Sequence, residues 1–111
     1  MVEQRRAPRF QLQRPLSITR LGESAILDGF TRNISSTGVL FTTVRELDLG
    51  GSIVYVIVLN HEGPQSTSLR CIGRVVRADL IGTGQANAYP NYQIAATLER
   101  YEFVRSHSRS I

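Results

Sequence analysis

The sequence predicts an all-β domain: a small antiparallel barrel of six strands followed by a short C-terminal helix. Three observations lead there. Apolar and polar residues alternate in run after run, which is the period of a half-buried strand. Breaks rich in glycine, asparagine and serine separate the runs at roughly ten-residue intervals. The chain has 111 residues, 41% of them hydrophobic and 20% charged, which suits one domain with a single core and excludes a disordered chain.

Residues 1–9 carry Glu3, Arg5, Arg6 and Arg9 around Pro8 with no apolar period, so they are expected to form a flexible arm. The barrel is expected over residues 10–98. Phe10, Leu12, Leu16 and Ile18 fall at even positions and mark a first strand, ended by Leu21-Gly22-Glu23-Ser24. Ile26, Phe30 and Ile34 share one parity in a second strand, closed by Ser35-Ser36-Thr37-Gly38; Val39-Leu40-Phe41 resumes as a third. After the break at Leu49-Gly50-Gly51, the β-branched run Ile53 to Leu59 predicts a central strand. Asn60 to Pro64 is a turn by composition, and Ser66 to Asp79 predicts a long fifth strand bent at Gly73. A polar loop with Gly82 and Gly84 precedes a sixth strand marked by Tyr92, Ile94, Ala96 and Leu98. Residues 99–111 are expected to form the short helix and a tail, with Leu98, Tyr101 and Val104 three positions apart.

No apolar run is long enough to cross a membrane and the N-terminus lacks an apolar leader, so a soluble cytoplasmic protein without membrane insertion is expected. Cys71 is the single cysteine, which rules out an internal disulfide, fits a reducing compartment and reads as a packed core thiol. The net charge is +4, and all thirteen basic residues are arginine, against nine acidic ones. Base composition of the gene would produce such a bias; so would a need for planar, bidentate contacts, which arginine makes and lysine does not. The balance favours a phosphate-bearing ligand over packaging of nucleic acid. His61 and His107 have no partners at metal-ligand spacing, Glu99 and Glu102 read as solvated, and Gly82-x-Gly84 lacks a Walker lysine. No cofactor, metal site or enzymatic activity is expected.

Two motifs remain. Arg5-x-x-x-Arg9 has a spacing that recurs at Arg70/Arg74 and Arg105/Arg109, so the spacing alone carries nothing; the first pair differs by lying on the arm. Asn33-x-Ser35-x-x-Gly38 is more selective, although a plain hairpin would use the same residue types. Arginine forks suit phosphates and guanine edges, and the turn offers short polar groups.

In this order, with residues 10–32 between them, the two motifs resemble the signature of bacterial PilZ domains. Val39-Leu40-Phe41 and Gly73-Arg74-Val75-Val76-Arg77 resemble strands of the same family, and the likeness runs from about residue 4 to 105. The resemblance implies a six-stranded antiparallel split barrel with a C-terminal helix, and binding of the second messenger cyclic di-GMP. It implies that Arg5 and Arg9 grip phosphates and guanine edges, that Asn33 and Ser35 hydrogen-bond the ligand, and that Gly38 permits a tight turn. Arg6 and Arg32 flank these positions and are candidates for further phosphate contacts. The expected function is that of a cyclic di-GMP receptor acting through an unidentified protein partner or self-association, as monomer or homodimer. Two rivals stand beside it: a PilZ-like interaction module that binds no nucleotide, and a small-barrel nucleic-acid binder. The scarcity of aromatics that read as exposed speaks against the second.

Overall fold

A computed structural model describes residues 9–20, 22–62, 65–81 and 91–107. The arm at 1–8, with Arg5 and Arg6, the loop at 82–90 and the tail at 108–111 lie outside the described residues. Among the described residues eight strands succeed one another: β1 (Phe10–Gln11), β2 (Pro15–Arg20), β3 (Ile26–Ile34), β4 (Gly38–Thr43), β5 (Ser52–Glu62), β6 (Gln65–Ile81), β7 (Asn91–Thr97) and β8 (Arg100–His107). Every pairing is antiparallel, and the order β3-β2-β5-β6-β7-β4 closes through β3–β4 into the six-stranded barrel that alternation predicts. Closure leaves no edge within that ring, while β1 extends along β3 and β8 along β6.

The first expected strand divides in two around Leu12–Arg14. Thr31 holds this connection: its hydroxyl accepts from the Arg14 amide at 2.8 Å and donates to the Leu12 carbonyl, while Arg14 Nε donates to the Val58 carbonyl at 2.8 Å. Leu16, Ile18, Val39, Phe41, Ile53, Tyr55, Ile57, Cys71, Val75 and Ile94 fill the barrel. Phe41 and Tyr55 are the largest of the fully buried side chains and meet with ring centroids 6.2 Å apart. Burying each such side chain stabilises the fold by roughly 1.5–3 kcal/mol. The Tyr55 hydroxyl donates to the Thr97 carbonyl at 2.9 Å, which satisfies its one polar atom inside the core.

Two expectations need correction. Ile26 and Phe30 share a parity but face solvent, and the residues of β3 turned inward there are Gly29 and Thr31. Residues 100–107 form β8 rather than a helix. Threefold spacing of Leu98, Tyr101 and Val104 fits either form. Strand wins because the edge of β6 over Gln65–Ile72 is open, and β8 satisfies it from Gln65↔His107 to Ile72↔Arg100.

β7 and β8 thus lie end to end along one side of β6, joined through Leu98 and Glu99. At this joint Gly73 is buried beneath Thr97, and a Cβ on it would sit 1.8 Å from the Thr97 carbonyl oxygen. Glycine at this position therefore has a contact reason: only glycine lets β7 cross so close.

Candidate functional site

The Asn33–Gly38 segment is a hairpin between β3 and β4, closed by the Ser35 amide donating to the Gly38 carbonyl at 2.9 Å. Ser35 is buried; its hydroxyl lies 3.3 Å from that of Thr37 and accepts from the Thr37 amide at 3.3 Å. The hydroxyl of Ser35 thus holds the turn in shape from inside. The Thr37 carbonyl in turn accepts from the Leu98 amide at 2.9 Å, tying the turn to the joint between β7 and β8.

Asn33 owes its direction to a β-bulge. Thr31 stands opposite Phe41, but the next pair is Asn33 opposite Leu40, so Arg32 has no counterpart on β4. One extra residue reverses the parity of every later position in the strand. Ile34, opposite the buried Val39, takes the inward side, and Asn33 is turned to the outer surface. Without the bulge Asn33 would point inward like Gly29 and Thr31. Arg32, the extra residue, is exposed.

β1 runs beside this segment, with Gln11 opposite Asn33 and Phe10 opposite Ile34. That pairing delivers Arg9, whose Nη1 donates to Asn33 Oδ1 at 2.5 Å. The end of the expected arm and the turn are thereby in direct contact. Among the described residues neither Arg9 nor Arg32 forms an ion pair, whereas Arg20, Arg70, Arg74 and Arg77 each face a carboxylate. Asn33, a neutral amide, orients Arg9 without neutralising it, so the guanidinium keeps its charge for an anion.

Gly38 belongs to the site for a reason other than the expected one. It is not among the glycines with positive φ, which are Gly22 and Gly50. A Cβ on Gly38 would stand 2.9 Å from the Ala96 carbonyl oxygen across the β4–β7 pair, so close packing demands glycine there.

Sequence reasoning missed an apolar groove on the other side of the turn. Phe10, Ile34, Leu69, Leu98, Tyr101 and Phe103 line it with Ser35 and Ser36, enclosing about 290 Å3. Phe10, Tyr101 and Phe103 are 63%, 61% and 67% exposed. The expectation of few exposed aromatics is therefore wrong, and the missed signal was the i, i+2 pairing of Tyr101 with Phe103, which a strand places on one face.

Three titratable groups away from the turn have acidities shifted by their surroundings. Cys71 is fully buried and burial pushes its thiol up to about 12, so it packs as a core residue. Burial likewise pushes the Tyr55 phenol above its ordinary range. Glu99 lies below the usual carboxylate range, first because Arg74 donates to it at 2.9 Å and then because the Thr97 hydroxyl does at 2.8 Å. Among the described residues no cluster of His, Cys, Asp and Glu could hold a metal ion, and no helix is long and apolar enough to cross a membrane.

A family model described as PilZ domain matches residues 3–101. The fold is similar to that in the structure of the K. pneumonia MrkH–c-di-GMP complex, with a TM-score of 0.63 at 19% sequence identity. The alignment covers 89% of this chain and 46% of that one, so the chain spans less than half the length of its structural neighbour. No curated protein matches the chain.

Proposed function

The chain belongs to the PilZ domain family, and on that premise we propose that it is a receptor for cyclic di-GMP. One observation carries the reading: Arg9 and Asn33, one from each motif, are in hydrogen-bond contact on the outer surface of the barrel. In this reading the anionic ligand takes the guanidinium of Arg9, which faces no carboxylate among the described residues, with Arg5 closing from the arm at residues 1–9. Asn33 offers its amide to the ligand, and Arg32 and Arg6 add positive charge beside it. Ser35, being buried and bonded within the turn, acts by holding the turn and presenting its backbone. Charge-assisted contacts to phosphate or to guanine O6 and N7 suit arginine on both counts. The protein works by binding rather than by catalysis, in the bacterial cytoplasm, and hands the signal to a protein partner.

Titration calorimetry with cyclic di-GMP tests this. Wild type binds, and Arg9→Ala and Asn33→Ala each weaken binding at least about tenfold, the effect of losing one charge-assisted hydrogen bond. Absence of heat in the wild type, or wild-type affinity in both variants, contradicts the reading.

A further inference from the structure

The outer face of the barrel beside the turn carries an aromatic ring with no part in the contacts described so far. Phe30 faces outward on β3, with Pro15 opposite it on β2 and Thr42 on β4, and at 60% exposure neither covers its ring. The register places it next to Asn33. Phe30 stands opposite Thr42 and Asn33 opposite Leu40, and Leu40 and Thr42 are consecutive outward positions of β4, either side of the buried Phe41. Phe30 and Asn33 are therefore consecutive outward positions of β3, roughly 7 Å apart along the strand. The bulge at Arg32 adds a residue between them without adding a row. Arg9, bonded to Asn33, and the exposed Arg32 lie at the same end of the strand.

Position separates Phe30 from the other aromatic side chains among the described residues. Phe41 and Tyr55 are inside the barrel, and Tyr92 packs against the core opposite the buried Thr43. Phe10, Tyr101 and Phe103 line the groove on the other side of the turn. Phe30 is left as the aromatic ring on the face of Arg9 and Asn33. We propose that it is the stacking platform for one guanine base of the ligand, an inference that rests on the receptor reading above. A nucleobase has an edge that takes hydrogen bonds and a π-face that takes a flat apolar partner. Arg9 and Asn33 answer the edge and the phosphate. Phe30, one row away, answers the face, within the span of a fused two-ring base. Its ring lies outside the core cluster, so the barrel folds without it.

Titrations with cyclic di-GMP test this. Phe30→Ala is expected to weaken binding roughly 5–100-fold, the loss of one base–aromatic stack, with unchanged far-ultraviolet dichroism. Phe30→Leu keeps apolar bulk without the π-face and loses most of the same affinity. The chain has no tryptophan, so Phe30→Trp introduces a single fluorophore. That variant keeps its affinity, and its fluorescence changes along the same curve as the heat. Phe103→Trp, across the turn, binds as wild type with steady fluorescence. A wild type that does not bind overturns the receptor reading and this proposal with it. The proposal alone falls if the wild type binds and Arg9→Ala weakens it, yet Phe30→Ala stays within about twofold or Phe30→Leu matches wild type. Steady fluorescence in Phe30→Trp, or a change in Phe103→Trp instead, overturns it equally.

Discussion

Arg9 and the pair Arg70/Arg74 belong to the same Arg-x-x-x-Arg spacing, yet they meet opposite surroundings. Arg70 lies 3.4 Å from Glu102 and Arg74 2.9 Å from Glu99, so both charges on β6 are answered from β8 and its joint. Among the described residues Arg9 meets the amide of Asn33 and no carboxylate. Pairing turns the first two into strand-to-strand links, whereas a neutral partner leaves Arg9 positioned and still charged. The lesson is that a spacing motif has no electrostatic meaning until the fold assigns its partners.

The contrast can be broken at Gly73, which brings Thr97 and Glu99 against Arg74. Gly73→Ala forces a methyl into the Thr97 carbonyl and is expected to cost about 3 kcal/mol, the upper end of overpacking penalties. Gly38→Ala, with 2.9 Å to the Ala96 carbonyl, should cost nearer ~1 kcal/mol. Urea denaturation of both variants measures the difference; equal costs would mean that β7 gives way as easily over Gly73 as over Gly38.

A second prediction sharpens the comparison at the arginines themselves. Arg9→Ala is expected to lower affinity for cyclic di-GMP roughly 10–100-fold, and Arg70→Ala to change it less than about twofold. A loss on Arg70→Ala matching that on Arg9→Ala would move the ligand to β6.

The smallest effect concerns pH. Glu99 titrates below its ordinary value in the folded chain, so its ion pair adds stability above the unfolded carboxylate pKa and loses it as pH falls through the lowered folded value. Glu99 is exposed, and the contribution is correspondingly slight. An NMR titration of the Glu99 carboxyl should show its pKa rising in Arg74→Ala, where the first cause of the depression is gone. No movement would assign the shift to Thr97 alone.

Much of this was legible in the sequence. The strands from Ile53 to Leu59, Ser66 to Asp79 and Tyr92 to Leu98 stand within a few residues of where alternation put them, because side-chain period is a local property. The turn at Ser35–Gly38 announced itself through residues that favour turns. Reading failed where neighbours decide. Parity in β3 misled because Ile26 and Phe30 line the outer face, and the bulge at Arg32 then reverses the count. The helix expected after Leu98 became β8 because β6 offers an open edge, which no local spacing records.

By itself, then, the sequence determined the all-β class, the strands β3 to β7 with the turns among them, and the two motifs to which Arg9 and Asn33 belong. Only the tertiary structure decided that Asn33 points outward to meet Arg9, that Gly38 and Gly73 serve close crossings of β7, and that Tyr101 and Phe103 share an open face. The reason is physical. Alternation and turn chemistry act between residues adjacent in the chain, whereas bulges, close approaches and free edges depend on which strand lies alongside, and that is settled only when the barrel closes.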